Sequence, residues 1–301
     1  MKLTKTSANL LLALITVSWG LGFIFVKICV NNNMSAGIIN FFRGFMFMFM
    51  ILIFFFPKIR KMSFYDFRIG LITGIYNFIG FITQTVGAMY TTPSNNAFLT
   101  VTNVLMVPFI VWIFYKKRPP LKRFISILIC MYGMAWLTGF IRVNYVINIG
   151  DILSIVCAFF FALSIAIIGN SAKDSEFSVI AFMMGLVQMV GSLLYFLIAE
   201  GAQIPDINWP PTILPLLFLG VIGSFLAQSG QVIAQKYTSA SSAALIMTLE
   251  GLFGAIFSVL FGFDVISGSL FLGGSLIMAS LFISEIDFKG IRDKRLRKKT
   301  L

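Results

Sequence analysis

The feature that most constrains this chain is its series of long apolar runs, each close to 20 residues, separated by short polar breaks. A helix rises about 1.5 Å per residue, so ~20 apolar residues cross a ~30 Å hydrocarbon core. The runs lie at 7–30, 35–57, 67–90, 94–115, 123–141, 149–169, 177–199, 213–235, 240–262 and 265–284. They predict an all-α integral membrane protein with ten transmembrane helices. Composition agrees, with 58% hydrophobic and 11% charged residues, against about 25% charged in soluble domains. Strands of a membrane barrel would alternate in and out over ~10 residues, which these runs do not do. A cleaved signal peptide fits the first run poorly, because the apolar stretch passes Val26 without a small-residue site closing it.

The formal charge of +12 raises nucleic acid as a partner, and the placement of the basic residues argues against it. With ten spans, the N-terminus, the even-numbered loops and the C-terminus share one side. That side takes every Lys and Arg except Arg142 in an opposite loop and Lys27 and Arg43 within spans. Basic loops stay cytoplasmic, so both termini are expected inside. The basic tail 286–301, with its RDKRLRKK run, reads as an anchor near anionic headgroups of the lipid bilayer. Cys29, Cys130 and Cys157 lie on different spans, and histidine is absent. No metal site, cofactor site or disulfide framework follows. The Ile, Phe, Asn and Lys usage suits a bacterial plasma (inner) membrane.

Two segments read alike. ITQTVGAMYTTPSNNAFLTVTN and SGQVIAQKYTSASSAALIMTLE, 147 residues apart, align Gln84 with Gln231, Tyr90 with Tyr237, Thr91 with Thr238 and Ala97 with Ala244. Each is a helix end, a tight polar turn and a helix start. Five spans per half is an odd number, so the copies are expected to sit in opposite orientation: 7–141 as the first repeat and 149–285 as the second. Inverted repeats can exchange conformations around a central site, which is the physical basis of alternating access.

These segments, together with SWGLGFIFVK in the first span, FFRGFMF in the second and LEGLFGAIFSVLFGFD in the ninth, resemble the drug/metabolite transporter superfamily, in particular its ten-helix EamA-type members. The likeness runs from about Ala8 to Ser284. It implies a 5+5 inverted-repeat exporter or permease of small metabolites with a central cavity. The chain departs from the family pattern at Gly251, which follows Glu250 where proline is usual. It departs again at Lys116, Lys117 and Arg118, where an acid is common; Asp264 holds the comparable place in the second half.

Ionisable residues inside spans cost about 2.5–3.5 kcal/mol at a helix centre and call for a reason. Glu250, deep in the ninth span, reads as a proton-carrying or cation-binding carboxylate, or as the structural partner of a buried cation. Arg43 lies roughly 12 Å below the outer surface. It either binds an anionic substrate group, neutralises Glu250 or anchors packing. Lys27, nearer the outer end, reads as a snorkelling lysine. Asn77 and Gln84 share a face of the third helix; Ser224, Gln228, Gln231 and Gln235 form a stripe on the eighth. They line a polar cavity or bond helices together. Asn103 joins Gln84 and Gln231 as a substrate candidate, and Trp19 is a candidate aromatic wall. Gly70 and Gly74 predict close helix packing, and Pro108 and Pro215 predict bends.

The chain lacks metalloprotease, nucleophile-elbow and nucleotide-loop motifs, so no catalytic residue is assigned and ATP is not the expected driver. The expected activity is secondary transport of a small-molecule substrate such as an amino acid, with Glu250 favouring proton-coupled export. A facilitator or importer, and in a different class a membrane enzyme or receptor, remain alternatives. Oligomeric state is not legible.

Overall fold

The computed structural model describes residues 3–137, 147–265 and 268–285. Lys2, Arg142 and the basic tail lie outside the described residues. Among the described residues eight helices are long and apolar enough to cross a membrane: α1 (Lys5–Asn31), α2 (Ala36–Ile59), α3 (Phe64–Tyr90), α4 (Pro93–Tyr115), α6 (Ile149–Asn170), α7 (Phe177–Ile198), α8 (Ile213–Gln235) and α9 (Ala240–Leu260). Two more, α5 (Leu121–Leu137) and α10 (Gly268–Glu285), are shorter over the described residues. Length and composition therefore give eight candidate spans among the described residues where the apolar runs predict ten; the fifth run ends at 141, beyond the last described residue of α5. The protein is a multi-pass membrane protein.

Polar residues at the breaks set where helices begin. The side chains of Thr4, Ser35, Ser63, Thr92 and Ser239 each accept a backbone N–H in the first turn of α1, α2, α3, α4 and α9. Asn148 and Asp151 form a reciprocal capping box on α6. Glu200, after α7, adds a second cap to α2 by accepting from Ser35 Oγ (2.5 Å) and Gly37 N (3.0 Å).

The helices pack in matched pairs. α2 lies along α7, α5 along α10, and α4 crosses α9; α3 packs on both α6 and α7, while α8 packs on both α1 and α2; α1 meets α9 as α6 meets α4. Advancing every label by five maps this set of contacts onto itself. At the α2–α7 crossing the match extends to residues. A Cβ on Gly44 would stand 2.4 Å from Met189 N, and one on Gly185 would stand 2.6 Å from Met48 N, so glycine lets the two backbones touch. The Gly70 and Gly74 pair behaves as expected, packing α3 on Met183 and Val187 of α7.

Lys27 corrects the snorkelling expectation. Its Nζ donates to Ala88 O (2.7 Å) and Thr91 O (3.0 Å), the open carbonyl end of α3. The ammonium thus satisfies helix-end acceptors and ties α1 to α3. Lys27→Met is expected to cost about 1–2 kcal/mol of stability, read as a lowered unfolding midpoint of the detergent-solubilised protein; an unchanged midpoint would return Lys27 to the headgroup region.

The predicted proline bends also move. Pro215 is the third residue of α8, where a missing N–H costs no helix bond. α4 breaks at Val101–Thr102, ahead of Pro108. There Thr102 N bonds Leu99 O and Val104 N bonds Val101 O, a tight i→i−3 turn between half-helices Pro93–Thr100 and Asn103–Tyr115. α9 breaks the same way at Thr248, between Ala240–Met247 and Leu249–Leu260. In both breaks a threonine hydroxyl takes the carbonyl three residues back, Thr102 to Leu99 O and Thr248 to Leu245 O, each at 2.6 Å. Such back-bonding competes with the helix ladder.

Candidate functional site

Where α1, α2, α3, α4, α6, α8 and α9 converge they leave a cavity lined from both halves of the chain. All eight sequence candidates reach it: Trp19, Arg43, Asn77, Gln84, Asn103, Gln228, Gln231 and Glu250. Phe23, Phe81 and Phe161 add aromatic surface, and Ser164 adds a hydroxyl.

The polar residues divide by what they already bond. Asn77 Nδ2 donates to Gln228 Oε1 (2.7 Å), joining α3 to α8. Gln84 Nε2 donates to Thr100 Oγ1 (3.3 Å), and its backbone carbonyl accepts from Asn96 Nδ2 (2.9 Å). Those amides line the cavity and bond helices at once. Gln231, Asn103 and Glu250 have no side-chain hydrogen bond among the described residues, and the buried Gln228 Nε2 is also without a partner. Their donors and acceptors are free for an occupant, since a polar group buried without one is costly.

Arg43 and Glu250 are 3% and 7% exposed. An ion pair between them, one of the three readings of Arg43, is absent among the described residues. Arg43 Nε instead donates to Ser224 Oγ (3.3 Å), and the guanidinium carbon lies 4.2 Å from the centre of the Phe81 ring. Two ionisable side chains therefore share a cavity from different helices without pairing. Glu250 stands in the first turn of half-helix Leu249–Leu260, and Asn103 opens half-helix Asn103–Tyr115. Discontinuous helices present such ends to bound solutes.

Two features of the site escape a reading by spacing alone. The middle of α8 is π-helical over Phe218–Leu226, a form frequent at functional sites. Gly223 within it turns its carbonyl to Trp19 Nε1 (2.9 Å), and the next residue holds Arg43. The second feature is that Asn103 and Glu250, which the 147-residue shift aligns in its last position, each stand at the start of a half-helix after a break. At the end of α8, Lys236 Nζ donates to Ser175 O, and burial lowers its pKa below the ordinary lysine range.

A family model described as the EamA-like transporter family matches residues 6–139 and again 148–285. The chain belongs to the EamA-like transporter family. It therefore falls in the drug/metabolite transporter superfamily, and its membership points to membrane transport rather than catalysis. An uncharacterized transporter of Archaeoglobus fulgidus (strain ATCC 49558 / DSM 4304 / JCM 9628 / NBRC 100126 / VC-16) is 33% identical over 276 residues, covering 92% of this chain and 85% of that protein. A protein crystal structure at 14% identity superposes with a TM-score of 0.70, covering 95% of this chain and 97% of the other, which is a likeness of fold.

Proposed function

We propose that this EamA-like protein is a ten-span secondary transporter that exports small metabolites, amino acids among them, by proton-coupled alternating access around the central cavity. Its two inverted five-helix repeats are 7–141 and 149–285, and the tail 286–301 is a cytoplasmic anchor. Both termini face the cytoplasm of a bacterial plasma membrane. The matched helix contacts, the paired breaks in α4 and α9 and the double match of the family model support the repeat reading. The basic loops support the orientation.

The observation that carries the proposal is a cavity, lined from both halves, in which Arg43 and Glu250 are buried without an ion-pair partner among the described residues. A protein that only needed to be stable would gain by pairing or removing those charges. A transporter needs them unspent, because solute and proton have to bind and leave. The test is flux into proteoliposomes across a panel of amino acids, purines and organic cations, with and without a pH gradient. Accumulation of one class above its equilibrium level, only with the gradient, is the expected result. Movement that stops at equal concentrations makes the protein a facilitator, and no movement beside a working control removes the transport reading.

A further inference from the structure

Among the described residues the cavity is lined by a single guanidinium, that of Arg43, whose donors are mostly unused. Arginine offers five N–H donors in a planar fork. Only Nε of Arg43 has a hydrogen-bond partner among the described residues, and the side chain is almost wholly buried at the cavity wall. Phe81 covers one face of the guanidinium. The terminal nitrogens are left for something that is itself anionic and planar. The other cation near this end of the bundle, Lys27, is already committed to the Ala88 and Thr91 carbonyls. One available positive charge suits a monoanion better than a dianionic phosphate, and a planar fork suits a carboxylate. Trp19, Phe23, Phe81 and Phe161 offer the rest of the solute an apolar surface.

The fork is held by the π-helical segment of α8. Ser224 Oγ accepts from Arg43 Nε (3.3 Å), while Gly223 O accepts from Trp19 Nε1 (2.9 Å). Neighbouring residues of one non-α segment thus fix both the cation and the aromatic wall.

We propose that Arg43 is the receptor for a carboxylate on the transported solute, and that Ser224 is the positioning residue that aims its fork. This rests on reading the cavity as the transport site. The solute is a small carboxylate with an apolar body.

The test is binding to the full chain in detergent, which needs no flux. Radiolabelled phenylacetate and phenylacetamide serve as a matched acid and amide, with acetate and benzoate completing the carboxylate panel. Equilibrium dialysis at pH 7 is expected to show phenylacetate binding roughly tenfold or more tighter than the amide. Arg43→Gln brings the acid to the level of the amide. Ser224→Ala weakens the acid by about three- to tenfold and leaves the amide unchanged, and Ser224→Thr, which keeps the hydroxyl, restores acid binding. A purely structural role for Ser224 would weaken both ligands together, and that result overturns its positioning role. Equal binding of acid and amide to the wild type, or no binding of any carboxylate at millimolar concentration, overturns the carboxylate site. The wild-type comparison holds even where Arg43→Gln does not fold. Selective carboxylate binding without flux in liposomes would sink transport and leave this site standing. Flux of a neutral or cationic solute, with carboxylates neither bound nor moved, would do the reverse.

Discussion

Replacing Glu250 with Gln is expected to abolish proton-driven accumulation in proteoliposomes while substrate exchange continues at a rate within roughly threefold of the wild type. The carboxylate lies in the cavity, buried, with no hydrogen bond or ion pair among the described residues to hold it in one state. Gln keeps the volume and a carbonyl acceptor but cannot exchange a proton, so it separates coupling from packing. A gradient of one pH unit is worth about 1.4 kcal/mol, or up to about tenfold accumulation per proton moved. The variant should bring that ratio to about one. Exchange of labelled for unlabelled solute, measured without a gradient, needs only the conformational cycle and should persist. If accumulation survives in Glu250→Gln, the proton passes elsewhere and Glu250 is structural. If exchange disappears with accumulation, the carboxylate binds the solute itself.

Most of the architecture is legible in the sequence because the bilayer leaves few alternatives: a chain with these apolar runs forms helices of this length and places its polar caps at the breaks. The eight candidate residues were findable for a related reason. A polar side chain in a span avoids lipid, so residues such as Gln231 and Asn103 point inward and meet in the space the helices enclose. Spacing alone did not reveal which of them are spent. Asn77 and Gln228 use each other, whereas Gln231 does not, and that depends on rotamers and on the registry between α3 and α8. The α-helical period also misses the π-helical segment over Phe218–Leu226, although Ser224, Gln228, Gln231 and Gln235 are all buried. Of the three readings open for Arg43, neutralising Glu250 is the one the geometry does not show, since Ser224 and Phe81 hold the guanidinium on its own wall. The breaks at Thr102 and Thr248 had a faint signal, a threonine directly or two residues before each candidate on two helices that already align.

Gly44→Ala is expected to destabilise the protein by about 2 kcal/mol or more, although alanine is the better helix former by roughly 1 kcal/mol. The added carbon would stand 2.4 Å from Met189 N and 2.8 Å from both Gln188 C and Met189 Cα. All three are main-chain atoms of α7, so no rotamer change clears the space and α2 has to move away from α7. That movement would disturb the reciprocal contact at Gly185 and displace Arg43, the residue before Gly44, from Ser224. Gly251→Ala is the matched comparison. Its added carbon would lie 2.3 Å from Met134 Cε, the far end of a flexible side chain. Methionine can turn aside, so the gain in helix propensity should roughly offset the crowding. Unfolding midpoints of the two variants in detergent decide the matter: a marked fall for Gly44→Ala with little change for Gly251→Ala is the expected result. No fall for Gly44→Ala would mean that α2 and α7 are not locked at this crossing. The rigid seam between the two halves would then lie elsewhere, and the conformational exchange proposed for them would have to pivot on other contacts.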